Sequence, residues 1–161
     1  MVLFRLIKKL SIDTKYIDAN ILDIKQKQTN MKIITVIARF LLGLIFLVFG
    51  LNGFLHFIPS SPPSGTAGQF VGALFVSHYL VPIFLLQVIS AVLLLVNRYV
   101  PLALTLLAPI IVNILLIHIL MLPSGLALAL VVTVLWIVVF LSVRSAFAGL
   151  FQERVPAEGL R

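Results

Sequence analysis

Residues 40–58 read FLLGLIFLVFGLNGFLHFI, nineteen positions in a row without a charge. That is close to the ~20 helical residues needed to cross a ~30 Å hydrocarbon core. The blank extends well beyond this stretch. From residue 40 to residue 143 the chain carries one charged side chain, Arg98, and no Asp or Glu occurs between Asp23 and Glu153. A water-soluble domain of this size needs charge on its surface to stay dispersed, so the pattern implies a bilayer. All three histidines, His56, His78 and His118, nevertheless fall inside the blank.

The bulk composition agrees. The 161 residues leave room for one domain. At 61% hydrophobic the chain lies above the globular range, where apolar residues make up about half. Its formal charge of +7 comes from bases gathered near the ends, seven of the twelve preceding Ile33. That is the distribution of a membrane protein facing an anionic cytoplasmic leaflet, and no aromatic-interleaved basic groove is present for nucleic acid. The chain has no cysteine, which excludes thiol–disulfide chemistry, Cys-ligated zinc and thiolate iron–sulfur clusters within it.

Four apolar segments are expected to be helical spans: residues 33–58 with Arg39 snorkelling near the start, 80–96 with a turn borrowed from upstream, 100–122 and 126–143. The links between them carry Pro, Gly, Ser and Asn and are short, which makes neighbouring helices antiparallel. Eight bases lie on the N-terminal side of the first span, counting Arg39 near its start, with Arg98 in the Asn97 turn and Arg144, Arg154 and Arg161 behind the fourth. All fall on one side of a four-pass topology. The expectation is therefore an all-α polytopic membrane protein, an antiparallel four-transmembrane-helix bundle. The positive-inside rule places it in the bacterial cytoplasmic (inner) membrane with both termini cytoplasmic. Residues 67–78 read either as a short interfacial helix or as a ragged start to the second span. Residues 1–30 form either an amphipathic arm or a non-native stretch ahead of a start at Met31; residues 31–151 are the membrane domain, and residues 152–161 a short cytoplasmic tail.

Polar side chains at membrane depth are candidates for a site. Asn52 and His56 on the first span, Gln87 on the second, and Asn113 and His118 on the third all fall in the outer half of a four-span bundle, with His78 at the outer start of the second. Each also has a plainer explanation. Asn52 and Gln87 can serve as interhelical hydrogen-bond glue, and the histidines can sit at headgroup depth. Ser90, Thr105 and Thr133 are expected to bond their own helix backbone. Gly43, Gly50 and Gly53 mark a close-packing seam, Pro109 is expected to kink its helix and free the Thr105 carbonyl, and Trp136 packs in the bundle or against lipid. Gly68 and Gly72 form only a weak GxxxG.

Asn, Gln and His at one depth on three helices suit the carbonyls of a quinone in an apolar slot. A haem held by two histidines finds no further support, and carboxylate-based metal binding or proton relay has no carboxylate to use, so no metal site and no intrinsic cofactor is expected.

Three stretches resemble the DoxX family of small four-helix membrane proteins. Arg39-Phe-Leu-Leu42-Gly43-Leu-Ile-Phe46-Leu-Val-Phe-Gly50 is similar to the family's opening Arg-x-x-Leu-Gly-x-x-Phe-x-x-x-Gly. Gln87-Val-Ile-Ser90-Ala91 through Asn97-Arg98 resembles its Glu-x-x-Gly-Gly-x-x-Leu-x-x-Gly-Arg, and Pro109 through His118 with the Pro123-Ser-Gly125 turn resembles a subgroup. The likeness covers roughly residues 31–151. It implies a quinone- or redox-linked role: an accessory or quinone-contacting subunit of a membrane redox system, with redox subunits as partners and, if an enzyme, a quinone-linked oxidoreductase. Gln87 stands where the family has Glu, and Ser90-Ala91 where it has Gly-Gly, so an acid–base role at position 87 is not implied. A structural membrane partner without a catalytic site is the alternative; a small-solute carrier is disfavoured because no inverted repeat is visible.

Overall fold

Uninterrupted runs of Leu, Ile, Val and Phe offer their backbone no polar partner except its own i−4 carbonyls, and in lipid that leaves the helix. The computed structural model describes residues 2–59 and 62–151, with side chains described from residue 20 to 149. Its helices are α1 (Val2–Leu55), α2 (Gly65–Val76), α3 (Leu80–Leu95), α4 (Val100–Leu120) and α5 (Leu126–Val143), with 3-10 turns at Pro123–Gly125 and Arg144–Phe151. No strand occurs among the described residues. Among the described residues, three helical stretches are long and apolar enough to cross a membrane: Asn20–Leu55, Val100–Leu120 and Pro123–Gly149. A fourth crossing exists only if α2 and α3, bent 85° from each other, are counted as one broken span.

α1 continues through residues 30 and 31 without a break. The polar residues there do not interrupt it because Thr29 and Thr35 turn their hydroxyls onto the carbonyls of Lys25 and Met31, at 3.0 and 2.9 Å. The chain falls into two compact units that meet in sequence at Val36 and Ile37. In the first, the side chains from residue 20 to 34 are exposed.

The end of α1 comes three residues sooner than the apolar run suggests. His56 takes up a left-handed conformation, φ 51°, and its N–H bonds the Asn52 carbonyl at 2.9 Å. The Asn52 side-chain oxygen then accepts the Ile58 N–H at 2.6 Å. A residue in this conformation after the last turn is a common helix stop, and non-glycine residues found there are enriched in Asn, Asp and His. His78 ends α2 in the same way, φ 57°, with its N–H on the Phe75 carbonyl at 3.1 Å. The second span therefore does not borrow a turn from upstream. Of the two readings of residues 67–78, the separate helix is the one observed. α3 is left with 16 residues.

α3 stops in a Schellman arrangement: Arg98 N–H reaches the Leu93 carbonyl at 3.0 Å and Asn97 N–H the Leu94 carbonyl at 3.2 Å, with Asn97 at φ 56°. Pro101 then lies in the first turn of α4, where a missing N–H is harmless.

Packing within residues 37–151 rests on small residues and one long-range bond. A Cβ on Gly43 would stand 3.0 Å from Leu95, one on Gly50 2.9 Å from Val88, and one on Gly53 inside the Phe84 ring. As α1 advances, its partners on α3 step backward, so the two helices run in opposite directions along the glycine seam. α5 is tied to α4 by the Trp136 indole N–H, which donates to the Leu104 carbonyl at 3.0 Å. α4 runs as one helix through Pro109; the carbonyl that gains a side-chain donor is Leu104, one residue ahead of Thr105. Trp136 also stacks on Phe140, ring centres 5.0 Å apart, and Phe140 meets Phe147 at the same distance. Leu42, Phe46, Leu94, Leu104, Leu107 and Val139 form the buried centre.

Candidate functional site

The helix stop at the end of α1 places two of the sequence's candidate residues on one cavity. Asn52 and His56 line a space of about 460 Å³ closed by Gly68, Gly72 and Phe75 of α2 and by Phe84 of α3. Its walls are otherwise apolar. Because the Asn52 oxygen is taken by Ile58, the carboxamide presents its NH₂ as a donor. The His56 Nδ1 lies 3.2 Å from the Phe54 carbonyl, which puts a proton on Nδ1 and, in the neutral ring, leaves Nε2 as an acceptor. The His56 ring meets Phe75 edge-on at 6.2 Å. Gly72 has no heavy atom within 4 Å of where its Cβ would be, so any larger residue there would extend into open space beside the cavity.

His118 belongs to a different space. It lines a cavity of about 340 Å³ with Ile45 and Phe49 of α1, Ile114 of α4 and Leu128 and Val132 of α5. Its Nδ1 donates to the Leu122 carbonyl at 2.8 Å, in the link just past the end of α4, where the same oxygen also accepts the Gly125 N–H at 3.3 Å. All three histidines thus act at helix ends, His56 and His78 through their backbone and His118 through its ring.

Gln87 lines neither cavity. It is 7% exposed, its Oε1 has no partner among the described residues, and its Cβ lies against Gly50 in the seam. Asn113 lines neither; it is exposed on α4. Asn52 and His56 are therefore brought together, His118 lies on a second cavity, and Gln87 and Asn113 lie apart from both. Thr105 and Thr133 bond their own helix, onto the Pro101 and Ala129 carbonyls at 2.9 and 2.7 Å. Ser90 departs from that expectation. It is fully buried and its hydroxyl has no partner among the described residues. Arg39, expected to reach the interface, has its Nη1 buried and without a partner among the described residues.

An unsatisfied buried hydroxyl opposes folding by roughly 1–3 kcal/mol. Ser90→Ala is therefore expected to stabilise the protein by about 1 kcal/mol, read as a higher midpoint of thermal or SDS unfolding. A loss of stability would mean that the hydroxyl is bonded.

Sequence reasoning missed Gly72, Phe75 and Phe84 as cavity walls. The signal is the Gly68–Gly72 pair beside an aromatic at helical spacing, which as a GxxxG alone is weak. Among the described residues no group of three or more His, Cys, Asp or Glu is arranged to hold a metal ion. No protein-family model, curated protein or solved structure matches the chain.

Proposed function

We propose that the chain is an integral membrane protein of the DoxX-like type, an antiparallel four-span bundle of the bacterial inner membrane, and a quinone-contacting accessory subunit of a membrane redox system. The observation that carries this reading is the cavity of about 460 Å³ at the end of α1. Its volume is that of a small-molecule site, and its walls are apolar with a few convergent polar groups. The Asn52 NH₂ suits a ring carbonyl, and His56 Nε2 suits a ring hydroxyl. α2, at 85° to α3, lies along the membrane surface when α3 stands upright in it, and so forms a roof over the cavity.

Purified protein is expected to bind a short-tailed quinone analogue. Gly72→Leu should weaken binding at least tenfold, since Gly72 lines the cavity and a side chain there has open space to occupy, and His56→Leu should weaken it while the protein stays folded. Unchanged binding in both variants, or none by the wild type, removes the quinone reading. A structural partner without a catalytic site would then be favoured, on the observation that Asn52, His56 and His118 each serve a helix end. The topology has its own test. Reporter fusions after Ser61, Arg98, Ser124 and Arg161 should read outside, inside, outside, inside, and any other order rejects the four-span arrangement.

A further inference from the structure

α4 presents a stripe of exposed positions at three- and four-residue spacing: Leu102, Thr105, Pro109, Val112 with Asn113, Leu116 and Ile119. On the other helices, the exposed positions within 40–55, 80–95 and 126–141 are all apolar. Asn113 is the exception. It lies seven residues from the end of α4 at Leu120 and thirteen from its start at Val100, about 10 and 20 Å along the axis. Thr105 and His118, the other polar side chains of α4, are occupied by backbone carbonyls. The Asn113 carboxamide bonds nothing among the described residues. Facing hydrocarbon, it would have neither water nor protein to meet its two donors and its acceptor.

We propose that this face of α4 is a homodimer interface in which Asn113 bonds Asn113 of a second copy. The inference rests on α4 crossing the bilayer. A two-fold axis along the membrane normal sets each residue of the stripe opposite its own counterpart. A carboxamide carries donor and acceptor together and so complements itself, which neither a serine-free apolar face nor a lone cation would do. The three-and-four spacing is the seam of a left-handed pair crossing near +20°. A second copy meets the requirement with nothing but this chain's own surface.

Because the chain has no cysteine, each introduced one reports a single contact. Val112→Cys and Leu116→Cys, with Asn113 intact, should form disulfide-linked dimers on mild oxidation in native membranes; Leu130→Cys, on the exposed face of α5, should not. Adding Asn113→Leu to Val112→Cys should lower the dimer fraction at least threefold, and Asn113→Gln should retain it. Silence at both α4 positions, equal yield at Leu130→Cys, adducts with another protein only, or indifference to Asn113→Leu would each overturn the proposal. Alkaline extraction of the same membranes separates the two levels. Protein released from the pellet defeats the spanning reading itself, whereas protein retained with silent α4 cysteines defeats the interface alone.

Discussion

Gly53→Val is expected to cause the largest loss of stability of any single exchange in the α1–α3 seam, about 3 kcal/mol or more. A Cβ at Gly53 falls inside the ring of Phe84, and the ring cannot shift without losing its edge contact with Phe54, whose centre is 6.0 Å away. Gly53→Ala should cost about 1–3 kcal/mol even after the gain in helix propensity. The other seam glycines give an internal scale. At Gly50 the first obstacle is the tip of Val88 at 2.9 Å, with backbone behind it at 3.2 Å; at Gly43 it is the side chain of Leu95 at 3.0 Å. The loss on substitution by Ala should therefore fall in the order Gly53, Gly50, Gly43. Combining Gly53→Ala with Phe84→Leu should recover stability relative to the sum of the single changes. Midpoints of SDS or thermal unfolding in micelles would measure these variants, and equal tolerance at the three glycines would show that α1 and α3 do not meet along this line.

Gly125→Ala is the second large effect expected. Gly125 has φ −93°, a conformation any residue adopts, so the backbone does not require glycine there. The ring of His118 does, because a Cβ at Gly125 would overlap its Cε1 and both nitrogens. With Ala the imidazole must swing away, breaking its 2.8 Å bond to the Leu122 carbonyl and leaving that acceptor with only the longer 3.3 Å bond from the Gly125 N–H. Overpacking and the lost bond together amount to about 2–4 kcal/mol. His118→Ala alone loses only the bond, about 1 kcal/mol. The double variant should match His118→Ala, since the collision is then absent. If Gly125→Ala is harmless on its own, the ring does not lie over the turn.

The comparison of sequence with structure divides along physical lines. α4 and α5 were legible almost to the residue because Asn97, Pro101, Pro123 and Gly125 punctuate them, and Pro and Gly act through local sterics that need no tertiary context. The glycine seam on α1 was legible for the same reason: a small residue every third or seventh position has few other uses in an apolar helix. The bend between α2 and α3 was not, because Ser77-His78-Tyr79 contains neither Pro nor Gly and the left-handed turn falls on a histidine. Spacing along the helices suggests a common depth for the candidate polar residues, but which of them meet depends on how each helix is turned against its neighbours, which spacing alone does not give. That is why Gln87 turns into the α1–α3 seam and Asn113 outward while Asn52 and His56 meet. Ser90 shows the limit most plainly, since a hydroxyl that nearly always bonds its own helix fails to do so here.

The shortness of α3 has a consequence for the surrounding lipid. Sixteen residues rise only about 24 Å, some 6 Å less than an average hydrocarbon core, whereas the 21 residues of α4 match one. In the proposed four-span arrangement, with α3 as the second crossing, the two flanks of the protein would demand different bilayer thicknesses. Beside α3 the acyl chains would then have to shorten or tilt, and each ångström of mismatch there would carry a fraction of a kcal/mol. Such a molecule would be drawn to thin membrane, and would thin whatever membrane it entered on one side only.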